Sequence, residues 1–419
     1  MEKANLIQNL RDSFTFQMSL GSKELFHTNF LEWLSFIDWN GFISLMHTMA
    51  EPKNGKFWWE DSYSPVKENV EVRREFNHYD LSIYVKIGEK WCPVLILENK
   101  VKSMPYHEQL DRYSEKAYKE WKSCLLPRIR NKVRIEETRK EKGISFVLLT
   151  LFDENIDLPD SWKIFKYGTL KSKLDCISEK IKDPKQNLII NDYCKFIEAL
   201  YKLANTHDWK VKSKDSYVRK IINDRKEESE LRIADLREKI IHERMLSILI
   251  EKIENKDIFI GKHMRWDKNK EFIDKDKKVY NTGVVFYQTS FSRGKGITEA
   301  FVIINENYRL MIQLQHNEYR RCLILHDTNN ESAEQREARK NNIVKKLKDK
   351  LWPGFIPSRS FGDCFKYACV PIDDNYVYDK YAYVLIDDRI DDKTVDNVLE
   401  EMVQDLSYIM KRFNDLNTI

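Results

Sequence analysis

The alternation of hydrophobic and polar positions predicts the secondary structure of the first half of the chain. The run at residues 93–97 (PVLIL) is apolar without interruption, which is typical of a strand buried on both faces. A second such run at residues 144–151 (ISFVLLTL) predicts another buried strand that a helical crossover connects to the same sheet. Residues 68–76 and the stretch that begins at Asp80 predict two further strands. The expected order is helix, three-strand meander, helix, strand, and then helices.

Helical periodicity accounts for most of the remaining first half. One helix is predicted over residues 23–47. Another begins near Pro105 and carries Gln109 and Tyr113 on one face, because residues four apart in a helix are neighbours. The stretch that follows the second buried strand is predicted to be mostly helical as far as Trp209.

The second half of the chain changes its pattern twice. Residues 210–257 are highly charged with apolar side chains at helical spacing, and we interpret them as a long charged helix that bridges two domains or pairs with a partner helix. From about residue 258 the composition is that of strands, with helices predicted at residues 332–350 and 394–413. An α+β domain with an antiparallel sheet is expected there. The predicted domains are residues 1–209, 210–257 and 258–419.

The composition predicts a soluble globular protein. Hydrophobic residues make up 42% and charged residues 33% of a chain of 419, which is long enough for more than one domain. The longest apolar runs stay well below about 18 residues, and the first residues lack the apolar core of a signal peptide, so a cytoplasmic protein without a membrane partner is expected. The seven cysteines are scattered without a C-x-x-C pair, which favours reduced thiols. A net charge of +4 argues neither for nor against nucleic acid.

The end of the first buried strand carries the strongest candidate chemistry. Glu98 and Lys100 follow the apolar run and point to the same face, because strand side chains alternate with period two. Charged groups in such a place are costly unless they are paired or used. Asp80 opens the neighbouring strand, so two carboxylates could hold Mg²⁺ or Mn²⁺ beside a lysine that orients a water molecule. The alternative is that Asp80 ends a tight turn and that Glu98 and Lys100 form an ordinary ion pair.

These residues resemble the PD-(D/E)XK nuclease superfamily. The resemblance rests on Tyr79-Asp80 followed by Glu98-Asn99-Lys100, and on the segments ELFHTNFLEWL, REFNHYDLSIYV, LILENK and QLDRY. It covers roughly the first 150 to 200 residues and looks like a bacterial branch in which ENK is followed by QL-x-x-Y. Tyr79 stands where the pattern usually has proline. The implied fold is an α/β restriction-endonuclease-like core, a mixed sheet flanked by helices, to which the long charged helix joins the C-terminal α+β domain.

The resemblance also implies roles for the side chains at the strand ends. Asp80 and Glu98 would bind Mg²⁺ or Mn²⁺ together with the backbone carbonyl of Asn99. Lys100 would stand beside the attacking water.

Further candidates lie on the helices and the turn around these strands. In the related nucleases the glutamine and tyrosine that correspond to Gln109 and Tyr113 face the metal or the scissile phosphate. Without the resemblance, Gln109 could equally be a capping amide and Tyr113 a core tyrosine. Glu24 is implied as a supplementary metal ligand, and its alternative is a first-turn acid favoured by the helix dipole. His27 is interpreted as a half-buried core histidine, and the alternative is a supplementary ligand or proton carrier over the metal site. Glu75 is a secondary acidic candidate.

A local excess of positive charge follows the strand. Residues 112–142 carry eleven Lys or Arg against five Asp or Glu. Such a segment could follow a phosphate backbone, although a solvated helical face is the usual role of charge runs. Trp58 and Trp59 could stack on bases, but we interpret them as loop anchors. The candidate nucleic-acid contacts are Arg112, Lys116, Lys119, Arg128 and Arg130.

The expected function is that of a metal-dependent nuclease, an endonuclease or exonuclease that hydrolyses phosphodiester bonds in DNA, with RNA left open. By resemblance it would be a bacterial restriction or anti-phage defence effector. The alternative is a catalytically silent nuclease fold that serves as a nucleic-acid-binding or scaffold protein. A third interpretation is a transcription-like or assembly role. Homo-oligomers would form through the long helix or the C-terminal domain.

Overall fold

The chain forms two compact units, Met1–Thr206 and His207–Ile419, in this computed structural model. Trp58, Trp59, Arg128 and Arg130 lie outside the described residues. No helix in the described part of the chain is both long and apolar enough to cross a membrane. The residues that the structure describes are 2–19, 23–51, 67–87, 89–101, 107–125, 143–153, 158–217, 226–254, 265–266, 272–273, 279–280, 285–292, 295–305, 308–315, 318–325, 332–351, 367–368, 378–379, 381–385 and 393–417.

Helices surround one sheet in the first unit. The helices are α1 (Glu2–Asp12), α2 (Phe14–Ser19), α3 (Lys23–Ile37), α4 (Trp39–Ala50), α5 (His107–Leu125), α6 (Tyr167–Ser178) and α7 (Pro184–Ala204). The strands are β1 (Val70–Phe76), β2 (Tyr79–Ile87), β3 (Lys90–Lys100), β4 (Ser145–Thr150) and β5 (Trp162–Lys166).

The sheet has the order β1-β2-β3-β4-β5 and is mixed. β1, β2 and β3 form an antiparallel meander, whereas β4 pairs in parallel with both β3 and β5. Asn77 and His78 make the turn between β1 and β2 with φ values of 58° and 70°, a region in which these residue types are enriched. Leu81 pairs with Leu97, so the next position along the ladder brings Asp80 beside Glu98. The predicted mixed sheet flanked by helices is therefore confirmed.

β3 is buried on both faces, as its apolar run predicts. On one face Ile96 lies in a cluster with Leu110 and Ala117 of α5. On the other face the side chain of Asn99 bonds to residues of α3 and α6. Because strand side chains alternate, Glu98 shares the α5 face with Ile96.

Two elements of the first unit differ from the prediction. The helix predicted over residues 23–47 breaks between α3 and α4, because Asp38 leaves the helical conformation and its carboxylate accepts a hydrogen bond from the N–H of Gly41. β5 was predicted as part of a mostly helical stretch. This strand has only 5 residues and pairs with one neighbour, so its period-two signal is short.

The second unit also combines helices with a sheet. Its helices are α8 (Lys226–Glu230), α9 (Ala234–Glu254), α10 (Ala333–Lys350), α11 (Val395–Lys411) and α12 (Phe413–Asn417). Its strands are β6 (Arg265–Trp266), β7 (Phe272–Ile273), β8 (Val279–Tyr280), β9 (Val285–Ser292), β10 (Lys295–Asn305), β11 (Tyr308–Gln315), β12 (Glu318–Leu325), β13 (Tyr367–Ala368), β14 (Tyr378–Asp379) and β15 (Tyr381–Leu385). The main sheet has the order β15-β12-β11-β10-β9 and is antiparallel throughout.

The long charged helix α9 belongs to the core of the second unit. Its apolar residues Ile241, Met245 and Leu249 pack in one cluster with residues of β10 and α11. Charged side chains of α9 are buried as well, and Arg244 donates a hydrogen bond to the carbonyl of Trp209 at 2.8 Å. The apolar residues of α9 thus pack within the second unit.

Candidate active site

The site lies where β2 begins and β3 ends. Continuing the ladder beyond Leu81 and Leu97 places Asp80 and Glu98 side by side. The backbone N–H of Asn99 donates to Oδ2 of Asp80 at 2.7 Å. The backbone of β3 therefore holds the acid that β2 contributes.

The Glu98 carboxylate has one bonded oxygen and one unbonded oxygen. Its Oε1 lies 2.7 Å from Nζ of Lys100, so these side chains share a face as predicted, and it accepts a hydrogen bond from Nε2 of Gln109 at 3.1 Å. The Gln109 amide donates as well to the hydroxyl of Tyr113 at 3.0 Å. Oε2 of Glu98 is buried and has no hydrogen-bond partner among the described residues. Burying a carboxylate oxygen without a hydrogen bond costs free energy unless a ligand binds that oxygen.

Burial raises the pKa of both acids. It raises the pKa of Glu98 to about 8 and that of Asp80 to about 6, in each case against the opposing effect of the Lys100 ammonium. Burial alone would lower the pKa of Lys100, but Glu98, Asp80 and Glu24 together raise it. The Lys100 ammonium is thus within electrostatic reach of three carboxylates, an excess of negative charge that a divalent cation would balance.

The donor set fits Mg²⁺ or Mn²⁺ through two carboxylates. No group of three or more His, Cys, Asp or Glu in the described part of the chain lies close enough to hold a metal, so Glu24 does not complete a three-acid set with Asp80 and Glu98. Mg²⁺ is usually held by one or two carboxylates and keeps several waters. Asp80 and Glu98, with the Asn99 carbonyl predicted beside them, supply that number, and the unpartnered Oε2 supplies a buried acceptor.

Tyr79, which stands where the sequence pattern has proline, is part of the core. Its side chain is fully buried in the cluster that α5 forms with the sheet. The rings of Tyr79 and Tyr113 meet edge to face with their centroids 5.5 Å apart. Tyr79 thereby supports the tyrosine that holds Gln109. Glu75 is exposed near the end of β1, and its negative charge contributes to the raised pKa of Asp80.

The predicted nucleic-acid contacts on α5 differ in their bonding and in their exposure to solvent. Lys116 donates to the carbonyl of Asn77 at 3.1 Å and lies 5.9 Å from the ring centroid of Tyr79, so its ammonium holds the turn between β1 and β2. Arg112 is half-buried, and Lys119 is exposed on α5. Lys119 is therefore the candidate whose position leaves its charge open to a phosphate backbone.

His27 lies in an aromatic cluster, in keeping with its interpretation as a core residue. It is fully buried, and its ring stacks on Phe196 with centroids 5.4 Å apart. Nδ1 of His27 and the hydroxyl of Tyr193 are 2.8 Å apart. Burial lowers the pKa of His27 to about 3, so the folded protein keeps this imidazole neutral.

His27 is expected to make the first unit sensitive to acid. An unfolded histidine binds a proton near pH 6.5, whereas buried His27 does so only near its lowered pKa of about 3. The unfolded state therefore gains protons first as the pH falls, and about 2 kcal/mol of stability is lost between pH 7 and pH 5. In urea unfolding of the full chain, His27→Gln should remove that part of the pH dependence. His78→Gln is the control because His78 is exposed. If the free energy of unfolding fell equally with pH in both variants, His27 would not be the source of the acid sensitivity.

Two residues in the surroundings of the site carry no local sequence signal. Tyr167, the first residue of α6, donates a hydrogen bond to the side chain of Asn99, from which it is separated by 68 residues. Glu120 of α5 accepts hydrogen bonds from Asn77 and Tyr84 and so ties the turn before Asp80 to the helix. Neither residue belongs to a motif, and only the sheet topology brings them near.

The sequence of residues 42–195 matches the family model of the PD-(D/E)XK nuclease superfamily. Glu24 precedes the matched segment. No curated protein and no solved structure matches the chain. The match contains the acidic pair, the lysine and both helix residues of the site: Asp80, Glu98, Lys100, Gln109 and Tyr113.

Proposed function

We propose that this chain, whose residues 42–195 match the family model of the PD-(D/E)XK nuclease superfamily, is a divalent-metal-dependent nuclease that hydrolyses phosphodiester bonds in DNA. One observation carries the proposal: beside Asp80, Oε2 of Glu98 is buried and has no hydrogen-bond partner among the described residues, while Lys100 and Gln109 occupy Oε1. A purely structural ion pair would be expected to satisfy both oxygens, since buried polar atoms are nearly always bonded.

The proposed roles follow from the contacts. Asp80 and Glu98 would hold the cation, Mg²⁺ or Mn²⁺, together with the backbone carbonyl of Asn99. The negative charge of Glu24, which is not one of these ligands, would add to the attraction on the cation. When bound, the metal supplies a water of lowered pKa and polarises the phosphate. Lys100 orients the attacking water and stabilises negative charge on the phosphate.

Gln109 and Tyr113 keep the carboxylate in place. Gln109 fixes Oε1 of Glu98 through one amide hydrogen, and its second amide hydrogen is bound by Tyr113. The carboxylate therefore cannot rotate without breaking a hydrogen bond. Oε2, which these contacts leave without a hydrogen bond, would then be the oxygen that binds the metal.

We propose DNA as the substrate and restriction or anti-phage defence as the biological setting. The basic segment around Lys119 supports a nucleic-acid partner, and the second unit would provide targeting, sensing or self-association. A silent, nucleic-acid-binding member of the fold is the competing proposal. The ion pair between Lys100 and Glu98 would by itself be compatible with it.

Cleavage by the full-length protein tests the proposal. Supercoiled plasmid, linear duplex, single-stranded DNA and RNA would be incubated with Mg²⁺, Mn²⁺ or EDTA. Wild type is expected to cut DNA with either metal and not in EDTA, and Asp80→Asn is expected to be inactive. Glu120→Gln is the matched control, because it alters a carboxylate of α5 that accepts hydrogen bonds from Asn77 in the turn before β2 and from Tyr84 on β2 rather than from the site residues.

The other outcomes are equally informative. Binding of DNA without cutting in any metal would favour the silent alternative. Cutting of RNA alone would replace the substrate, and cutting that survives Asp80→Asn would place hydrolysis elsewhere in the chain.

A further inference from the structure

Asn99 forms hydrogen bonds to three different elements. Its backbone N–H donates to Oδ2 of Asp80 on β2 at 2.7 Å, and its side-chain Nδ2 donates to the backbone carbonyl of Glu24 on α3 at 3.0 Å. Its Oδ1 accepts from the hydroxyl of Tyr167 on α6 at 2.7 Å. Asn99 is fully buried. One residue thus links β3 to the acid of β2, to the helical turn that carries Glu24 and to the start of α6.

The chemistry of these partners fixes the orientation of the Asn99 amide. The carbonyl of Glu24 can only accept, so the NH₂ group must face it. The amide oxygen then faces Tyr167, whose hydroxyl donates. Tyr167 is also fully buried, so it holds the amide in the orientation that binds α3.

We infer that Asn99 and Tyr167 are positioning residues of the site: Asn99 sets Asp80 and the first turn of α3 relative to β3, and Tyr167 holds the Asn99 side chain. The inference rests on the proposed function, because the acids that it positions are those assigned to hydrolysis. The carbonyl of Asn99, assigned above to the metal, is a different atom of the same residue.

Tyr193 offers a matched comparison with Tyr167. Both tyrosines are fully buried beside His27. The centroid of the His27 ring lies 5.7 Å from that of Tyr193 and 5.0 Å from that of Tyr167. The Tyr193 hydroxyl bonds to His27, whereas the Tyr167 hydroxyl bonds to Asn99. Removing either hydroxyl takes one buried hydrogen bond from the same cluster, but only one of the two substitutions changes Asn99.

Steady-state DNA cleavage by the full-length variants is the first readout. Tyr167→Phe is expected to lower kcat about 10-fold or more, the range found when the outer hydrogen-bond partner of a metal ligand is removed, and to leave KM unchanged. Tyr193→Phe should leave kcat unchanged. In an Asn99→Leu background, Tyr167→Phe should cause no further loss, because residues that act through one another are not additive.

Hydrogen exchange of α3 is the second readout, and it needs neither metal nor activity. In EDTA without DNA, the amide of Thr28, whose helical acceptor four residues earlier is the carbonyl of Glu24, should exchange faster in Tyr167→Phe and Asn99→Leu than in Tyr193→Phe. Equal kcat in the two Tyr→Phe variants, additive losses with Asn99→Leu, or equal exchange of the Thr28 amide would each overturn the inference. If wild type does not cleave nucleic acid, the proposed function fails, and the exchange comparison alone decides whether Tyr167 positions α3 through Asn99.

Discussion

Lys100→Met is expected to lower the free energy of unfolding by about 3–5 kcal/mol in EDTA, the cost of removing one partner from a buried ion pair. The Lys100 side chain is 14% exposed, and its ammonium acts on Glu98, Asp80 and Glu24. Without it three carboxylates remain within electrostatic reach of one another, and burial already raises the pKa values of Asp80 and Glu98. Urea unfolding of the full-length protein measures the loss.

Divalent cations are expected to reverse part of this loss of stability. Mg²⁺ or Mn²⁺ should restore much of the stability of Lys100→Met, because a ligand that binds only the folded state stabilises it by mass action, by about 2.7 kcal/mol at a concentration one hundred times its Kd. Lys119→Met is the control, since this exposed lysine should change stability by less than about 0.5 kcal/mol. A Lys100→Met protein as stable in EDTA as this control would show that the carboxylates do not repel one another as described.

Glu98→Gln is expected to reduce metal-dependent cleavage by more than about 100-fold. Loss of an outer hydrogen-bond partner of a metal ligand costs 10- to 100-fold, and loss of the ligand itself should exceed that. Stability should nevertheless stay near that of wild type. Glutamine keeps the volume and an acceptor for Gln109, removes the charge whose burial raises the pKa to about 8, and leaves Asp80 near the Lys100 ammonium.

Two measurements separate this effect from unfolding. Calorimetric titration with Mn²⁺ should show weaker binding to Glu98→Gln than to wild type, and urea unfolding in EDTA should show similar midpoints. Glu120→Gln, which alters a half-buried carboxylate on α5, should retain both cleavage and Mn²⁺ binding. A Glu98→Gln enzyme that cleaves at the wild-type rate would remove Glu98 from the proposed site.

Patterns with a short period in the sequence predicted much of the first unit. The apolar run before Glu98 identified β3 as a strand buried on both faces, and period-two alternation placed Glu98 and Lys100 together, as their 2.7 Å separation confirms. Spacing of four residues in α5 likewise predicted that Gln109 and Tyr113 are neighbours. These inferences succeeded because the backbone geometry alone determines which side chains share a face.

Contacts between distant parts of the chain could not be predicted in this way. Nothing near Tyr167 indicates that its hydroxyl meets Asn99, because that contact depends on how α6 follows β5. The charged composition of α9 likewise does not indicate that residues such as Glu238 and Arg244 are buried. Sequence pattern reports the polarity of a side chain, whereas burial depends on partners that the fold supplies.

The alternation of β3 also bears on how the sheet finds its correct pairing during folding. If β3 slipped by one residue, Glu98 and Lys100 would turn toward α3 and α6, and Asn99 would turn toward α5. The slipped state would bury two charges against the aromatic cluster of His27 and Tyr167 without Gln109, at a cost of several kcal/mol for each ion. The charges proposed for hydrolysis would thus also penalise a misregistered strand. Substitutions that replace both charges with apolar residues would therefore be expected to make the sheet more permissive in its register, even where they make it more stable.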